Sequence, residues 1–471
     1  MRHLTGQSRQ QISLLPESLD EFVGADAPVR VIDAFVDTLD VAALGFDKAV
    51  TRDTGRKPYH PGDLLKLYVY GYLNRVSTSR RLERECRRNV EVMWLLGRLA
   101  PDFKTIADFR KDNGPAVRAA CRAFIEFCRE ASLLSGGLVA IDGSKFKSAS
   151  SIDGVITRQH LERDRRLIDE RVEAYLERLD RADREESTEV LDRERVEAAL
   201  ERLARRRARL DRCERAMDAG DRNEHCEGEP DARLTLSGRE GRLLGYNVQS
   251  AVDGESRLIV HHEVTNEPGD TRQLLPVAQE AKAALGVERL EVVADGGYAN
   301  GEHLQRCDDA GITATVPRRV IPGSARGLFQ KSDFHYDAAQ DQYRCPADEE
   351  LRRCGQDDRR KLQLYRRTGC KDCAPQPRCT PSNTRLVTRH FYEAAYARSE
   401  MRLKVDPGLM RRRAAIAERP FAVLKNVLGF KRFSCRGLRG ANAEMAIAVL
   451  AYNLLQTMQR IGTHRLIGLM G

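Results

Sequence analysis

The sequence contains no long hydrophobic run. No stretch of its 471 residues approaches the roughly 20 uninterrupted apolar residues that a membrane helix needs, so an integral membrane protein is not expected. The opening residues, MRHLTGQSRQQISLLPESLD, have no hydrophobic signal core, which argues against secretion. The chain also has no internal repeat and no long low-complexity linker. These absences predict a soluble, cytoplasmic protein.

Aromatic residues are scarce, at 6% of the sequence, whereas charged residues reach 32%. Lysine and arginine number 79 against 70 acidic residues, which gives a net charge of +9 and a pI of about 9.0. Many charges of both signs on a basic background suit a nucleic-acid partner, although solubility alone also explains them. The length predicts about three units, each large enough to bury a core.

Twelve cysteines in a chain without a signal core indicate thiols or metal ligands in preference to structural disulfides. Cys345, Cys370, Cys373 and Cys379 have the spacing C-x24-C-x2-C-x5-C, close to that of a four-thiolate zinc ribbon, and Cys354 is a spare. Little apolar material surrounds them, so a zinc ion would replace a missing core. Because four thiolates leave no open position, this zinc would be structural. Reduced cysteines left from a lost site are the alternative.

Residues 1–133 are predicted to form an N-terminal helical domain. The segment from Pro61 to about Leu133 has apolar residues at helical spacing, with Pro61 at a first-turn position. Its short helices carry many arginines, namely Arg80, Arg81, Arg84, Arg87 and Arg88. These helices form either a helix-turn-helix that binds DNA or an ordinary bundle with a basic, solvated face.

Residues 157–219 predict an antiparallel helical hairpin inserted into the next domain. Its two apolar stripes consist of Ile168, Val172, Tyr175 and Leu179, and of Val196, Leu200, Leu203 and Leu210. The dense charge of LARRRARLDR is typical of a solvated face. Contact with DNA and pairing with a second subunit are the alternatives.

Residues 134–330 together with 391–471 predict an α/β domain with a mixed sheet covered by helices. A strand opens it at LVAIDGSKFK, and a hairpin with its turn at Asp253-Gly254 follows. Helices then separate further strands at Leu290 and Ile312. The cysteine-rich insert occupies residues 331–390.

Two apolar strands run into an aspartate: Asp142 in LVAIDGSKFK and Asp295 in VVADGGY. Taken alone, Asp142-Gly143 favours a turn. Parallel neighbours place their carboxyl ends at one edge, so adjacent strands would bring Asp142 and Asp295 side by side. Two carboxylates that close need a cation between them, and hard oxygen ligands suit magnesium.

A third acid, Glu418, lies in the basic tail helix RRRAAIAERPFAVLK. Lys425 follows seven residues later, two helical turns on, and would share its face. That face would offer both a metal ligand and a phosphate contact. In isolation, an acid within a basic helix is more often part of an intrahelical ion pair.

The combination resembles the DDE-type transposases of bacterial insertion sequences. The likeness rests on Asp142, on Asp295 in ADGGY, on Glu418 and Lys425 at E-x6-K spacing, and on the helical segments HPGDLLKLYVYGYL and PDFKTIADFRK. It covers nearly the whole chain and implies a ribonuclease H-like catalytic core, with helices on both faces of a mixed sheet. Relatives often show Y-x2-R-x3-E, whereas Arg411 and Ala414 hold those positions here. Arg413 is assigned to phosphate contact.

The resemblance implies cutting and joining of DNA at the terminal inverted repeats of the element, by two-metal phosphoryl transfer with Mg²⁺ or Mn²⁺. Asp142 would bridge both ions, and Asp295 and Glu418 would each complete one shell. Lys425 and Lys145 would contact DNA with Arg413. The partner would be double-stranded DNA, bound by a homo-oligomer associated with the bacterial nucleoid. The alternative is a catalytically inactive, zinc-containing DNA-binding protein derived from a transposase.

Overall fold

The computed structural model describes residues 18–50, 57–184, 193–237, 241–318 and 328–471. Most of the opening segment and the turn of the predicted helical hairpin lie outside these ranges. In the part of the chain that is described, no helix is both long enough and apolar enough to cross a membrane.

Among the described residues of the N-terminal region there are six α-helices, which confirms the predicted helical character. They are α1 (Pro28–Asp37), α2 (Pro61–Leu73), α3 (Ser79–Arg88), α4 (Val90–Leu95), α5 (Phe103–Asp112) and α6 (Gly114–Glu130). Pro61 starts α2, where its missing N–H has no intrahelical role. The carboxylate of Asp102 caps α5 by accepting hydrogen bonds from the backbone N–H groups of Lys104 and Thr105, at 2.9 and 3.0 Å.

The sheet that carries the predicted acids is mixed. Its strands are β1 (Leu138–Lys147), β4 (Arg233–Ser237), β5 (Gly241–Asp253), β6 (Ile259–Thr265), β7 (Leu290–Val293) and β8 (Ile312–Thr315). The order is β4-β5-β1-β7-β8, with β6 also paired to β5. β1 is antiparallel to β5 and parallel to β7, which is parallel to β8. This order confirms the predicted ribonuclease H-like fold.

The local sequence favours a turn at Asp142-Gly143, and this prediction is wrong. β1 continues through both residues to Lys147, because the long strand β5 pairs with it throughout and Asp142 lies opposite Ser250. The parallel neighbour β7 is shorter and ends at Val293, opposite Ala140. Asp142 therefore lies just beyond the last parallel pair, beside the segment that follows β7.

Helices cover the sheet and join it to the N-terminal region. They are α9 (Leu274–Leu285), α10 (Gly301–Asp309), α12 (Glu393–Val405), α13 (Leu409–Ala422), α14 (Gly437–Ile461) and α15 (Thr463–Met470). α14 is buried over most of its length and packs on β6, α2 and α6. One hydrophobic core therefore runs through the N-terminal helices and the sheet. The division at residue 133 stays a prediction.

A buried carboxylate ties the N-terminal helices to α14. Glu444 is fully buried and accepts hydrogen bonds from the Tyr72 hydroxyl at 2.9 Å and from the backbone N–H groups of Ser434 and Cys435 at 2.8 and 2.9 Å. The Arg110 guanidinium lies 3.5 Å from it. Tyr72 and Arg110 are buried as well, so the charge of Glu444 depends on these partners in place of water.

The predicted hairpin projects between β1 and β4. It consists of β2 (Val155–Thr157), α7 (Arg158–Arg184), α8 (Arg193–Ala219) and β3 (Glu224–Cys226), with β2 and β3 paired at its base. A small core of its own holds α7 and α8 together through residues such as Ile168 and Leu203. The turn at 185–192 and the side chain of Leu179 lie outside the described residues.

The cysteine-rich insert contains a core, contrary to the sequence argument. A five-stranded antiparallel sheet and a short helix form it: β9 (His335–Asp337), β10 (Gln342–Arg344), β11 (Glu350–Asp357), β12 (Leu362–Thr368), α11 (Gln376–Cys379) and β13 (Thr384–His390). Phe334, Tyr343, Leu351, Tyr365 and Val387 are buried together. Apolar residues are sparse along this segment, but strand alternation collects them on one face.

Candidate catalytic site

The three predicted acids converge on one arginine. Arg413, on α13, places its Nη2 atom 2.5 Å from Asp142 Oδ1 and 3.9 Å from Asp295 Oδ2. Its Nη1 atom lies 3.8 Å from Glu418 Oε1. Residues more than a hundred positions apart in sequence therefore meet around a single cationic group. Their catalytic role stays a prediction.

The three carboxylates differ in exposure. The side chain of Asp142 is 15% exposed, that of Asp295 is 47% exposed and that of Glu418 is 66% exposed. Burial raises the pKa of Asp142 to about 6; the nearby Arg413 opposes this shift and the Asp295 charge adds to it. A buried carboxylate is costly to ionise unless a positive group lies close to it.

Arg413 is buried, with a side chain 7% exposed. Its Nη2 also donates to the Ile141 carbonyl at 3.5 Å, and its Nε has no hydrogen-bond partner within the described ranges. The contact between Arg413 and a DNA phosphate stays a prediction. Arg413 instead neutralises part of the acidic cluster in this structure.

Lys425 and Lys145 lie just past Asp142. α13 gives way after Ala422 to a π-helical turn, Val423–Val427, so Lys425 does not continue the regular α-helical spacing from Glu418. Lys425 Nζ donates to Ser144 Oγ and to the Lys145 carbonyl, both at 2.8 Å. It also lies 4.5 Å from the ring centre of Phe146. Both lysines are thus held beside the acidic edge of the sheet.

Sequence reasoning missed a fourth acid, Asp270, in the loop between β6 and α9. Asp270 Oδ1 accepts hydrogen bonds from Asn247 Nδ2 and Gln249 Nε2, both at 2.8 Å. Lys145 Nζ lies 3.8 Å from the same oxygen. A sequence signal was available: NEPGD follows a strand, as ADGGY does. The loop is separated from β1 by more than a hundred residues, so only the fold shows the contact.

The acids are suited to a divalent cation by their chemistry. Three carboxylates supply hard oxygen donors, and all three already lie within 3.9 Å of one cationic group. Among the described residues, no three His, Cys, Asp or Glu side chains are arranged to hold a metal ion as they stand. Side-chain rotation around Arg413 would therefore accompany binding.

The four predicted zinc ligands lie close enough for their charges to interact, but among the described residues no three of them are arranged to hold a metal ion. Cys370 and Cys379 are buried, and Cys345 and Cys373 are half-buried. Burial raises the pKa of the Cys379 thiol, and negative charge on Cys370, Cys345 and Cys373 raises it further, although Arg385 opposes the shift. The spare, Cys354, is exposed on β11 and donates to the Leu364 carbonyl at 3.4 Å.

Comparisons with known proteins identify the family of the chain. Residues 17–112 match the family described as "Transposase domain (DUF772)", and residues 225–454 match the family described as "Transposase DDE domain". A search of curated protein sequences gave no match. Among solved structures, a piggyBac transposase synaptic complex with hairpin DNA is similar at 9% identity and a TM-score of 0.33. The similarity covers 95% of this chain and 80% of that one.

Proposed function

Since the chain belongs to the DDE-type transposases, we propose that it cuts and joins DNA strands at the terminal inverted repeats of an insertion sequence. The observation that carries the proposal is the convergence of Asp142, Asp295 and Glu418 on the Arg413 guanidinium. These acids come from the interior of β1, from the turn after β7 and from the tail helix α13. A divalent cation bound among them would account for their meeting at one place.

We propose that Asp142, Asp295 and Glu418 would hold two magnesium ions, with Asp142 as the ligand shared by both and with Asp295 and Glu418 as ligands of one each. Two such ions, when bound, lower the pKa of a water and stabilise charge on the attacking and leaving oxygens. Asp142 would provide the fixed point, since β1 is paired with β5 at that residue and with β7 two residues earlier, at Ala140. Glu418 is the most exposed of the three and has the most freedom to adjust. No covalent enzyme intermediate is required.

The chain's cations would bind the DNA backbone. Lys145, Lys425 and Arg413 surround the acids and would hold phosphates near them as point charges or forked donors. On the N-terminal region, α3 exposes a basic surface made of Arg80, Arg81, Arg84, Arg87 and Arg88. We propose that this surface contacts DNA phosphates outside the cutting position, within a homo-oligomer assembled on the DNA.

The test is a cleavage assay on duplex DNA that carries the inverted repeats flanking the gene. We expect the wild type to nick the end in Mg²⁺ or Mn²⁺, to leave a free 3′ hydroxyl, and to join that end to a target duplex. EDTA should stop both steps. DNA binding without any cleavage in either metal would instead support the inactive DNA-binding alternative.

We further propose that Cys345, Cys370, Cys373 and Cys379 bind one structural zinc ion. The spacing of the four cysteines supports this ligand set, as does the electrostatic effect of the other three on Cys379, whereas Cys354 is exposed. We expect about one zinc per chain by atomic emission. Cys373→Ser should lose most of it, since three thiolates hold zinc less tightly. Cys354→Ser is the matched control and should retain the metal. Equal zinc in both variants would contradict this ligand set.

A further inference from the structure

Asp270 is a partly buried acid to which the proposed reaction gives no role. Its side chain is 26% exposed, in the loop that leads from β6 into α9. Oδ1 accepts hydrogen bonds from the side chains of both Asn247 and Gln249. These two residues lie on the same face of β5, the strand that pairs with β1. Gln249 is fully buried and Asn247 nearly so, so one carboxylate oxygen accepts from the NH2 groups of two buried amides.

The same network reaches the segment that carries Asp295. The Tyr298 hydroxyl donates to Gln249 Oε1, and Tyr298 is buried. Asp295 itself accepts from the backbone N–H of Gly297 at 2.7 Å, and its carbonyl accepts from the Tyr298 N–H at 3.1 Å. A continuous chain of hydrogen bonds therefore links Asp270 through Gln249 and Tyr298 to the turn that presents Asp295.

The Asp270 loop also holds Lys145. Lys145 Nζ donates to the Pro268 carbonyl at 2.8 Å and lies 3.8 Å from Asp270 Oδ1, with its side chain only 16% exposed. The packing is tight enough to restrict the residue after Asp142. A Cβ added to Gly143 would lie 2.6 Å from Gln249 Nε2 and 2.7 Å from Asp270 Oδ1. Asp270 therefore lies next to Gly143, which follows Asp142, and is linked by hydrogen bonds to the turn that carries Asp295.

We propose that Asp270 is a positioning residue for DNA cleavage: it orients the Lys145 ammonium and, through Gln249 and Tyr298, the turn bearing Asp295. This inference rests on the proposed function. The role is distinguishable from simple electrostatics. Removing a negative charge near bound DNA should raise DNA affinity, whereas losing the network should misplace Lys145 and Asp295 and slow cleavage.

The experiment measures single-turnover cleavage at saturating DNA and Mg²⁺, and separately DNA affinity. We expect Asp270→Ala to cleave roughly ten- to a hundredfold more slowly, as a displaced catalytic group predicts, with DNA affinity at or above that of the wild type. Glu267→Gln is the matched control and should cleave at the wild-type rate. Its carboxylate lies in the same loop, 44% exposed and 3.7 Å from Arg272.

Asp270→Asn is a second variant that tests the inference even where the alanine variant does not fold. It keeps the shape and one acceptor oxygen for Asn247 and Gln249 but loses the charge that faces Lys145, so we expect an intermediate loss of cleavage. A double-mutant cycle with Lys145→Ala tests the coupling. The double alanine variant should cleave about as slowly as Asp270→Ala alone. Losses that multiply would mean that the two residues act independently, which would overturn the inference.

The possible outcomes distinguish a failure of this inference from a failure of the proposed function. Wild-type cleavage with a full rate in Asp270→Asn would overturn the inference alone. An inactive wild type would overturn the proposed function and the inference with it. A slow Asp270→Ala variant whose DNA affinity falls in parallel, with normal cleavage once DNA is saturating, would show a binding role and contradict the positioning role.

Discussion

Asp142→Asn is expected to lower the rate of metal-dependent DNA-end cleavage by about a thousandfold or more, since the lost group is the proposed bridge between both ions. Asparagine has the same shape and can still accept from the Gly143 N–H, which is 2.9 Å from Asp142 Oδ1. It cannot supply the negative charge. The folded structure should therefore persist while the site loses its shared ligand.

The measurement is single-turnover cleavage of an inverted-repeat duplex, with thermal denaturation to confirm folding. Asp153→Asn is the matched control: Asp153 is an exposed acid in the turn that follows β1 and accepts from the Ser151 hydroxyl at 2.8 Å. It should cleave at the wild-type rate. Equal cleavage by wild type and Asp142→Asn would rule out the proposed active site.

Glu444→Ala is expected to destabilise the protein by about 3–5 kcal/mol, the usual result of breaking a buried ion pair from one side. The change leaves the Arg110 guanidinium, whose side chain is 9% exposed, without its carboxylate. It also leaves the N–H groups of Ser434 and Cys435 without their acceptor. Both losses fall where α14 meets the N-terminal helices, so we expect the two regions to lose stability together.

Chemical denaturation, followed by circular dichroism, measures the effect as a shift of the midpoint. Glu400→Ala is the control, because that acid is 44% exposed and 3.7 Å from Arg318, and an exposed pair contributes at most about 1 kcal/mol. Replacing Arg110 and Glu444 together by methionine should recover much of the loss, since no buried charge is then left alone. A Glu444→Ala midpoint equal to that of Glu400→Ala would contradict this account.

Local patterns were sufficient for the fold class and for three of the four acids, although they missed Asp270. Strand alternation and helical spacing depend on neighbours in sequence, so β5, β6, α7 and α8 were predicted near their observed positions. The family resemblance rested on Asp142, Asp295 and Glu418, and the family matches confirm it. The core of the cysteine-rich insert was missed because its buried residues come one or two at a time from separate strands.

The sequence by itself determined the candidates for chemistry: the two aspartates that follow apolar runs, Glu418 with its lysine, and the spaced cysteines. Only the tertiary structure decided which charges meet. It placed Arg413 among the acids, Asp270 beside Lys145, and Glu444 against Arg110. The physical reason is that an ion pair depends on separation in space, and strand order and loop path bring together residues whose sequence separation carries no sign of the contact.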